Sequence, residues 1–564
     1  MSAPRPWERH YPPSLAWDLS PPVRPLNDML SEAAAAFADR IVIQYNAAEI
    51  SYAALAEAVA ETSAGLMVGG VKPGDKVALY LPNTPYHPFA FFGTLKAGGV
   101  VVHLSPLDAE RELAHKLTDS GARILVTTNI GMMLPMAQRL LAAGLLDRII
   151  VGDDKAFGTI PGLPVLSIPT DDPRIIDFAS LREMGRNSSP VWPVVDPHAL
   201  AVLQYTGGTT GLPKGAMHSN ASLGASVASY DAFYEAQNDD EAPHIVICVL
   251  PLFHIYALVV LLLWQIKRGS TLLLRLRFDI PTVLHDIEVR RATYFPGVPT
   301  MWIALNNVPD IDKRDFSSLR QVGSGGAPLP VEVAQRFEAL VGKRIGGGWG
   351  MTETASAGTA NLMNGLFKEG TIGMPLPGID VQIVSLDDPR RVLGFGEIGE
   401  MRVKAANIFQ GYYNKAEETA KSFVDGYFLT GDVGSMDEDG LIILVDRRKD
   451  MIISGGFNVY PRIIEDAIYE HPAVEEVIVI GIEDEYRGQA AKAFIKLRAG
   501  EVEFKLDSLQ AFLADKIGKH EMPTALEFRD ALPKTSVGKL SKKELVEDER
   551  RKPQIVKNLE QKNG

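Results

Sequence analysis

The chain has 564 residues, 46% hydrophobic and 23% charged, enough apolar material for several buried cores; a small binding module and a predominantly disordered chain are both excluded. Fifty-seven Lys and Arg against seventy Asp and Glu leave a net charge of −13, which repels phosphate backbones and makes nucleic acid an unexpected partner. The single cysteine, Cys248, can build neither an internal disulfide nor a cysteine-rich zinc site, so a reducing cytoplasm is the expected compartment.

The first 25 residues hold seven prolines and no apolar run long enough for a signal-peptide core, and they predict an extended arm. Tyr52, Leu55, Val59 and Leu66 share one stripe at helical spacing. Strand-like runs at 76–81, 100–104, 123–127 and 148–152 then alternate with helix-length segments at 109–120 and 131–143, the pattern of an α/β domain with largely parallel sheets. The Pro-, Asp- and Ser-rich stretch 160–197 reads as a long connection between subdomains. A second α/β run begins at His198, with strands expected at 245–250, 271–276 and 293–296.

The apolar stretch 245–266 has the length of a membrane span but contains Pro251, His254 and Gln265. A proline removes a backbone donor that lipid cannot replace, so the stretch predicts a buried strand, a turn and a buried helix. No integral membrane segment is expected, and peripheral association with a membrane stays open. Near residue 446 an apolar strand (441–445) gives way to mostly charged residues and a glycine pair in DRRKDMIISGGFNVYP, a hinge candidate before a second, smaller domain. Residues 506–509 read as helix, and the mixed-charge stretch from Lys542 as a solvated helix end.

The strongest local signal is YTGGTTGLPKG, Tyr205 to Gly215. Gly207, Gly208, Gly211 and Gly215 permit close backbone approach, Thr206, Thr209 and Thr210 add hydroxyls, and Lys214 adds a cation: the parts of a phosphate cradle. It is not a Walker A loop, because the lysine is followed by Gly rather than Ser or Thr.

This run resembles the phosphate loop of the adenylate-forming superfamily, which includes acyl-CoA synthetases, adenylation domains of peptide synthetases and firefly luciferase. Five further segments resemble that family's motifs in its order, over about residues 27 to 545. GSGGAP (323–328) is similar to the adenine-contacting turn, WGMTET (349–354) to the aromatic-Gly-x-Thr-Glu motif, and TGD (430–432) to the ribose turn; DRRKD (446–450) resembles the hinge and LPKTSVGKLSKKEL (532–545) the catalytic-lysine segment. The resemblance implies an α/β fold: a large domain of α/β subdomains with mixed sheets, residues 1–446, and a small mobile α+β lid, residues 447–564. It implies ATP contacts from Thr206, Gly207, Gly208, Thr209, Thr210, Lys214, Gly325, Gly326, Ala327, Trp349, Gly350, Met351, Thr352, Asp432 and Arg447. It also implies Mg2+ at Glu353 and Thr209, a pivot at Lys449, and a passage for CoA at Gly455 and Gly456.

Chemistry gives these positions a reason. A carboxylate such as Glu353 is a hard oxygen ligand of the kind Mg2+ takes alongside substrate phosphates. Lys539 would set a cation where charge builds on an α-phosphate under attack by a carboxylate, and the neighbouring Gly538 would let the backbone approach. His254 matches a position near the acyl carboxylate, although a histidine in so apolar a run is as well explained as a core residue. Trp349 stands where Tyr is common, Lys542 where Arg is common, and Thr206-Gly207-Gly208 where Ser-Gly-Thr often occurs; none of these removes a needed charge or hydroxyl.

The implied activity is that of an AMP-forming acid–CoA ligase, with ATP and CoA as co-substrates, closest in look to bacterial medium- and long-chain fatty acyl-CoA ligases. A dicarboxylate or aryl acid, and a carrier protein in place of CoA, remain alternatives. The acyl pocket is expected among residues 254–257, 298–302, 323–326 and the small residues 355–358. Arg275 or Arg277 is the candidate cation for a second carboxylate.

Overall fold

The computed structural model describes residues 5–160, 162–206, 213–237, 242–327, 329–455, 457–484, 486–535 and 539–551. Strand Val100–Leu104 is buried at every position, as its unbroken apolar pattern requires of a strand covered on both faces. It lies between Lys76–Tyr80 and Leu200–Thr206 in a seven-stranded sheet that continues through Ile124–Thr128 and Arg148–Gly152 to Ile175–Asp177. All of these pairings are parallel, and the hairpin partner Lys214–Ser219 closes the other edge antiparallel. Helices Glu110–Ser120 and Met133–Ala142 stand where the sequence places them.

Three expectations are corrected. The stretch 160–197 is not one long connection: within it Ile175–Asp177 adds an edge strand, and helix Phe178–Arg186 packs on helix Tyr52–Val68, with Asp177 capping its N-terminus. The run starting at His198 does not open a separate sheet, since Leu200–Thr206 completes the first. The second sheet instead recruits its far edge from the start of the chain, with Ile41–Tyr45 parallel to Thr271–Leu274 and Ala48–Ser51 outside it. The segment 543–551 is helical but not merely solvated, because Leu545 is buried with Ile478, Ile480, Phe494 and Leu532.

The second sheet has nine strands, with Ile245–Cys248, Tyr294–Gly297, Gln321–Ser324 and Ile345–Trp349 parallel at its centre. The apolar stretch 245–266 is strand Ile245–Cys248, a turn at Pro251, a π-helical run Ala257–Leu263 and the short helix Trp264–Lys267, buried almost throughout. Among the described residues no helix is long and apolar enough to cross a membrane.

A third sheet pairs Asp380–Val384, Gly399–Lys404, Tyr427–Met436, Phe423–Val424 and Ile442–Arg447 antiparallel. A fourth, built on the long hairpin Val474–Asp484 and Gly488–Leu497, includes Ile452–Ser454. Arg447 thus ends a strand of one sheet, and five residues later the chain is in another. Arg448 clamps the passage, pairing with Glu400 at 2.6 Å and donating to the Leu386 carbonyl at 2.8 Å.

The proline-rich arm is docked rather than free. It forms a 3-10 turn Pro6–His10 that buries Trp7, and the Tyr11 hydroxyl donates to the Pro375 carbonyl at 2.6 Å. Gly440, at φ +82°, accepts this arm because a Cβ there would lie 2.7 Å from that of Trp7. Trp7→Ala is expected to destabilise the fold by about 3–5 kcal/mol, read as a lower urea midpoint; an unchanged midpoint would show that docking contributes nothing.

Candidate active site

Between the third and fourth sheets and the carboxyl ends of the second sheet's parallel strands lies a cavity of about 1340 Å3. Such a position is where open α/β sheets place ligands. One wall is an acidic edge. Asp432 faces Arg447 across the antiparallel pair, accepts from Trp349 Nε1 at 2.7 Å and meets Arg447 Nε at 3.1 Å. Thr430 fixes the turn before it, donating to the Met401 carbonyl at 2.6 Å and accepting the Asp432 N–H at 3.1 Å. Asp432 attracts the Arg447 guanidinium and raises its pKa.

Glu353 sits in the 3-10 turn Thr352–Thr354, buried, with its pKa raised by that burial. It accepts the Tyr412 hydroxyl at 2.7 Å, and among the described residues it forms no salt bridge. The turn is held in an unfavourable conformation: Ala355 and Ser356 lie in the left-handed region at φ 46° and 73°. The surroundings over-determine it. His218 Nε2 donates to the Thr352 carbonyl at 2.7 Å, Asn407 Nδ2 to that of Thr354 at 2.6 Å, and Ser226 to that of Ala355 at 2.6 Å.

The glycine turn after strand Gln321–Ser324 lets two side chains touch the backbone. A Cβ on Gly325 would lie 2.7 Å from the Tyr256 ring, and one on Gly326 (φ +81°) 2.6 Å from Lys539 Cε. Lys539 therefore reaches the cavity over Gly326. Burial, then repulsion from Arg447, lowers its pKa to about 8. His254 lines the same cavity, and burial followed by the Lys539 charge lowers its pKa to about 3, so it is a neutral imidazole at physiological pH.

A buried polar chain, not foreseen from sequence, carries the His254 loop. Gln204 Nε2 donates to the Phe253 carbonyl at 2.7 Å, so the amide oxygen accepts from His103 Nδ1 at 2.9 Å. His103 Nε2 is then left to accept from His87 Nε2 at 3.2 Å. Burial lowers the pKa of both imidazoles, consistent with this neutral arrangement.

Of the sequence candidates, Thr206, Lys214, Gly325, Gly326, Ala327, Trp349, Gly350, Met351, Thr352, Glu353, Asp432, Arg447, Lys449, His254 and Lys539 all line this one cavity. Lys214 is paired with Glu418 and lies over the Tyr412 ring. Gly207, Gly208, Thr209, Thr210 and Gly456 fall outside the described residues. Gly455 is exposed at φ +59° with open space around it, and it does not line the cavity.

The expected acyl lining needs correction. Gly358 offers no room, because the Trp349 ring covers it with Cε3 2.3 Å from where a Cβ would stand. Trp302 is turned into the core against Phe295 and Phe337. Arg275 forms a bidentate pair with buried Asp286 and, like Arg277, does not line the cavity. Of the expected positions, Tyr256, Pro299, Thr300, 323–326 and Ser356 do line the cavity, joined by the unexpected Tyr230, Tyr234, Trp264 and Tyr294. Tyr230 and Tyr234, four apart on one helix, were the available sequence signal.

The AMP-binding enzyme model matches residues 30–413, and the AMP-binding enzyme C-terminal domain model matches 463–539. The chain belongs to the AMP-binding enzyme family. Over 560 residues it is 35% identical to a long-chain-fatty-acid–CoA ligase of Bacillus subtilis (strain 168), covering 97% of this chain and 99% of the relative. A feruloyl-CoA synthase of an Amycolatopsis species is 35% identical over 506 residues, covering 89% and 94%. The ATP-bound structure of MatB from Rhodopseudomonas palustris superposes with a TM-score of 0.79 at 28% identity, covering 93% of this chain and 99% of that one. The fold of this AMP-binding enzyme is thus a mixed α/β large part followed by the family's C-terminal domain.

Gln204→Leu would leave the Phe253 carbonyl and the His103 Nδ1–H unpaired, at about 1–3 kcal/mol each. A lower urea midpoint than for wild type is expected; an unchanged one would show that the buried chain does not brace the His254 loop.

Proposed function

We propose that this chain activates a carboxylic acid with an extended apolar body, a medium- or long-chain fatty acid in the first instance, with residues 1–446 as the body and 447–564 as a mobile lid. It is an AMP-forming acid–CoA ligase. In the first half-reaction a carboxylate oxygen attacks the α-phosphorus of ATP, the bond to the β-phosphate breaks, and acyl-adenylate and pyrophosphate form. In the second, the CoA sulfur attacks the acyl carbonyl, its proton is lost, and AMP leaves with the bonding pair. The observation that carries the reading is the convergence of Lys539, Glu353, His254 and the Asp432–Arg447–Trp349 cluster on one cavity.

Each group has a task that its surroundings suit. Asp432 accepts from the ribose hydroxyls, with Trp349 and Arg447 fixing its two oxygens. Gly325, Gly326 and Ala327 present backbone to the adenine, while Thr206, Lys214, Gly350, Met351 and Thr352 surround the phosphates; Gly207, Gly208, Thr209 and Thr210, assigned to the same task from the sequence, lie outside the described residues. Lys539 stabilises charge on the α-phosphoryl oxygens, where a low dielectric strengthens a fixed cation. Neutral His254 hydrogen-bonds the acid rather than removing a proton. Lys449 is the pivot, and Gly455 with Gly456 would border the CoA passage only after the lid has turned.

The donor set fits Mg2+. Glu353 is one buried carboxylate without a salt-bridge partner among the described residues, and no group of three or more potential protein ligands gathers around it there. One carboxylate facing the phosphates is the kind of protein contribution Mg2+ takes when substrate supplies the other oxygens. Glu353, with Thr209, would hold it, and it would neutralise phosphate charge. A single cysteine, Cys248, free and buried, is compatible with the cytoplasmic setting we propose.

Two measurements test the reading. Lys539→Ala is expected to abolish acid-dependent ATP–pyrophosphate exchange, while conversion of supplied acyl-adenylate and CoA persists; equal loss of both would sink the two-pose scheme. Exchange without CoA thioester would point to a carrier-protein acceptor. Because Lys539 is charged below its pKa of about 8, kcat/KM for adenylation is expected to fall as pH rises through that value, and Lys539→Arg to move the alkaline limb upward. A limb that stays in place would remove Lys539 from the titration.

A further inference from the structure

Four tyrosines gather in the cavity that holds His254. Tyr230 and Tyr234 stack 6.4 Å apart on the helix Asn220–Glu235, and Trp264 lies against both rings at 6.0 and 5.2 Å. Tyr294 meets the Trp264 ring edge-on at 6.3 Å, and its hydroxyl lies 3.8 Å from where a Cβ of Gly323 would stand. Tyr256 covers Gly325, two residues further along the same strand end. Burial first, and then the nearness of the other phenols, raises the pKa of Tyr234, Tyr256 and Tyr294.

Their hydroxyls are not equivalent. That of Tyr230 donates to the Ser356 carbonyl at 2.8 Å. Those of Tyr234, Tyr256 and Tyr294 have no hydrogen-bond partner among the described residues. The buried Ser324 Oγ and Gln321 Oε1, from the strand paired beside Tyr294, are also unpaired among the described residues, and both residues line the cavity. Water can satisfy phenol hydroxyls while the cavity is empty. A plain methylene chain would expel that water and leave the hydroxyls bare, whereas an oxygen on the incoming molecule would replace it. Phenylalanine would serve the methylene chain better at the same shape.

We propose that the cavity takes an acid whose apolar body carries a hydroxyl group, and that Tyr234, Tyr256 and Tyr294 select it. The inference rests on the ligase reading above. A hydroxylated alkyl chain and a hydroxylated aryl acid offer the same chemistry, and matched pairs distinguish them.

The test measures ATP–pyrophosphate exchange, as kcat/KM, for a fatty acid against its mid-chain hydroxy derivative and for cinnamate against its ring-hydroxylated derivative. Wild-type enzyme is expected to prefer the hydroxylated member of one pair by about tenfold or more. The pair that shows it names the source. Tyr234→Phe, Tyr256→Phe and Tyr294→Phe, singly and combined, are expected to bring that ratio toward one. Their thermal unfolding midpoints should stay at or above wild type, since no protein partner is lost. Equal or better use of the unsubstituted acid in both pairs, or a preference that survives the triple variant, would overturn the proposal and leave the ligase reading standing. No exchange with any acid would overturn both.

Discussion

An ammonium group does not enter a protein cavity unless something compels it, and the candidate site depends on that compulsion. Lys539 lies over a glycine whose Cβ would occupy the space its own Cε takes up, with Arg447 near enough to push its pKa down further than burial alone. Only Asp432 among the groups acting on it favours the charge. Under the proposed reaction, a triphosphate supplies the missing anion. The pose seen here is therefore electrostatically incomplete by itself, which is the condition under which a substrate can draw a lid shut by its own charge.

The same incompleteness recurs at Glu353 in the opposite sense. Its carboxylate is buried, raised in pKa and partnered by a tyrosine hydroxyl rather than by a cation. The turn that carries it occupies left-handed backbone at two residues with side chains, and three side chains from separate elements secure its carbonyls. Arg447 offsets that burial only in part, and under the proposed reaction the strained, hydrogen-bonded turn would hold the acid ready for a cation that arrives with the phosphates.

The parts of the site legible in the sequence are those whose chemistry constrains consecutive residues. A glycine turn, an aromatic-Gly-x-Thr-Glu run and a Gly-Asp step work through local backbone geometry, so Gly325, Gly326, Glu353 and Asp432 can be found one segment at a time. Parallel strands such as Val100–Leu104 were legible for the same reason, since burial on both faces writes itself into five adjacent residues. The edge strands Ile41–Tyr45 and Ala48–Ser51 were not assigned to their sheet, because periodicity carries no information about which distant strand is the partner. The hydrogen-bond chain through His87, His103 and Gln204 joins residues from three elements, each unremarkable alone. Gly358 failed in the other direction: its smallness makes room for the Trp349 ring, not for substrate.

The distinction between local and assembled features bears on which chemistry a relative can lend. In the proposed reaction the locally written groups activate the acid, and similarity at about a third identity, to a long-chain-fatty-acid–CoA ligase over 97% of the chain and to a feruloyl-CoA synthase over 89%, extends across them. The proposed acyl wall is assembled from the helix Asn220–Glu235, the residues flanking the π-helical run Ala257–Leu263 and the start of strand Tyr294–Gly297, and its hydroxyl pattern follows from how four aromatic rings meet while Tyr256 packs on Gly325. Exchange of one tyrosine for phenylalanine would alter what the wall accepts without disturbing any motif. Overall similarity therefore speaks to the reaction, whereas the unpaired hydroxyls of Tyr234, Tyr256 and Tyr294 speak to the acid.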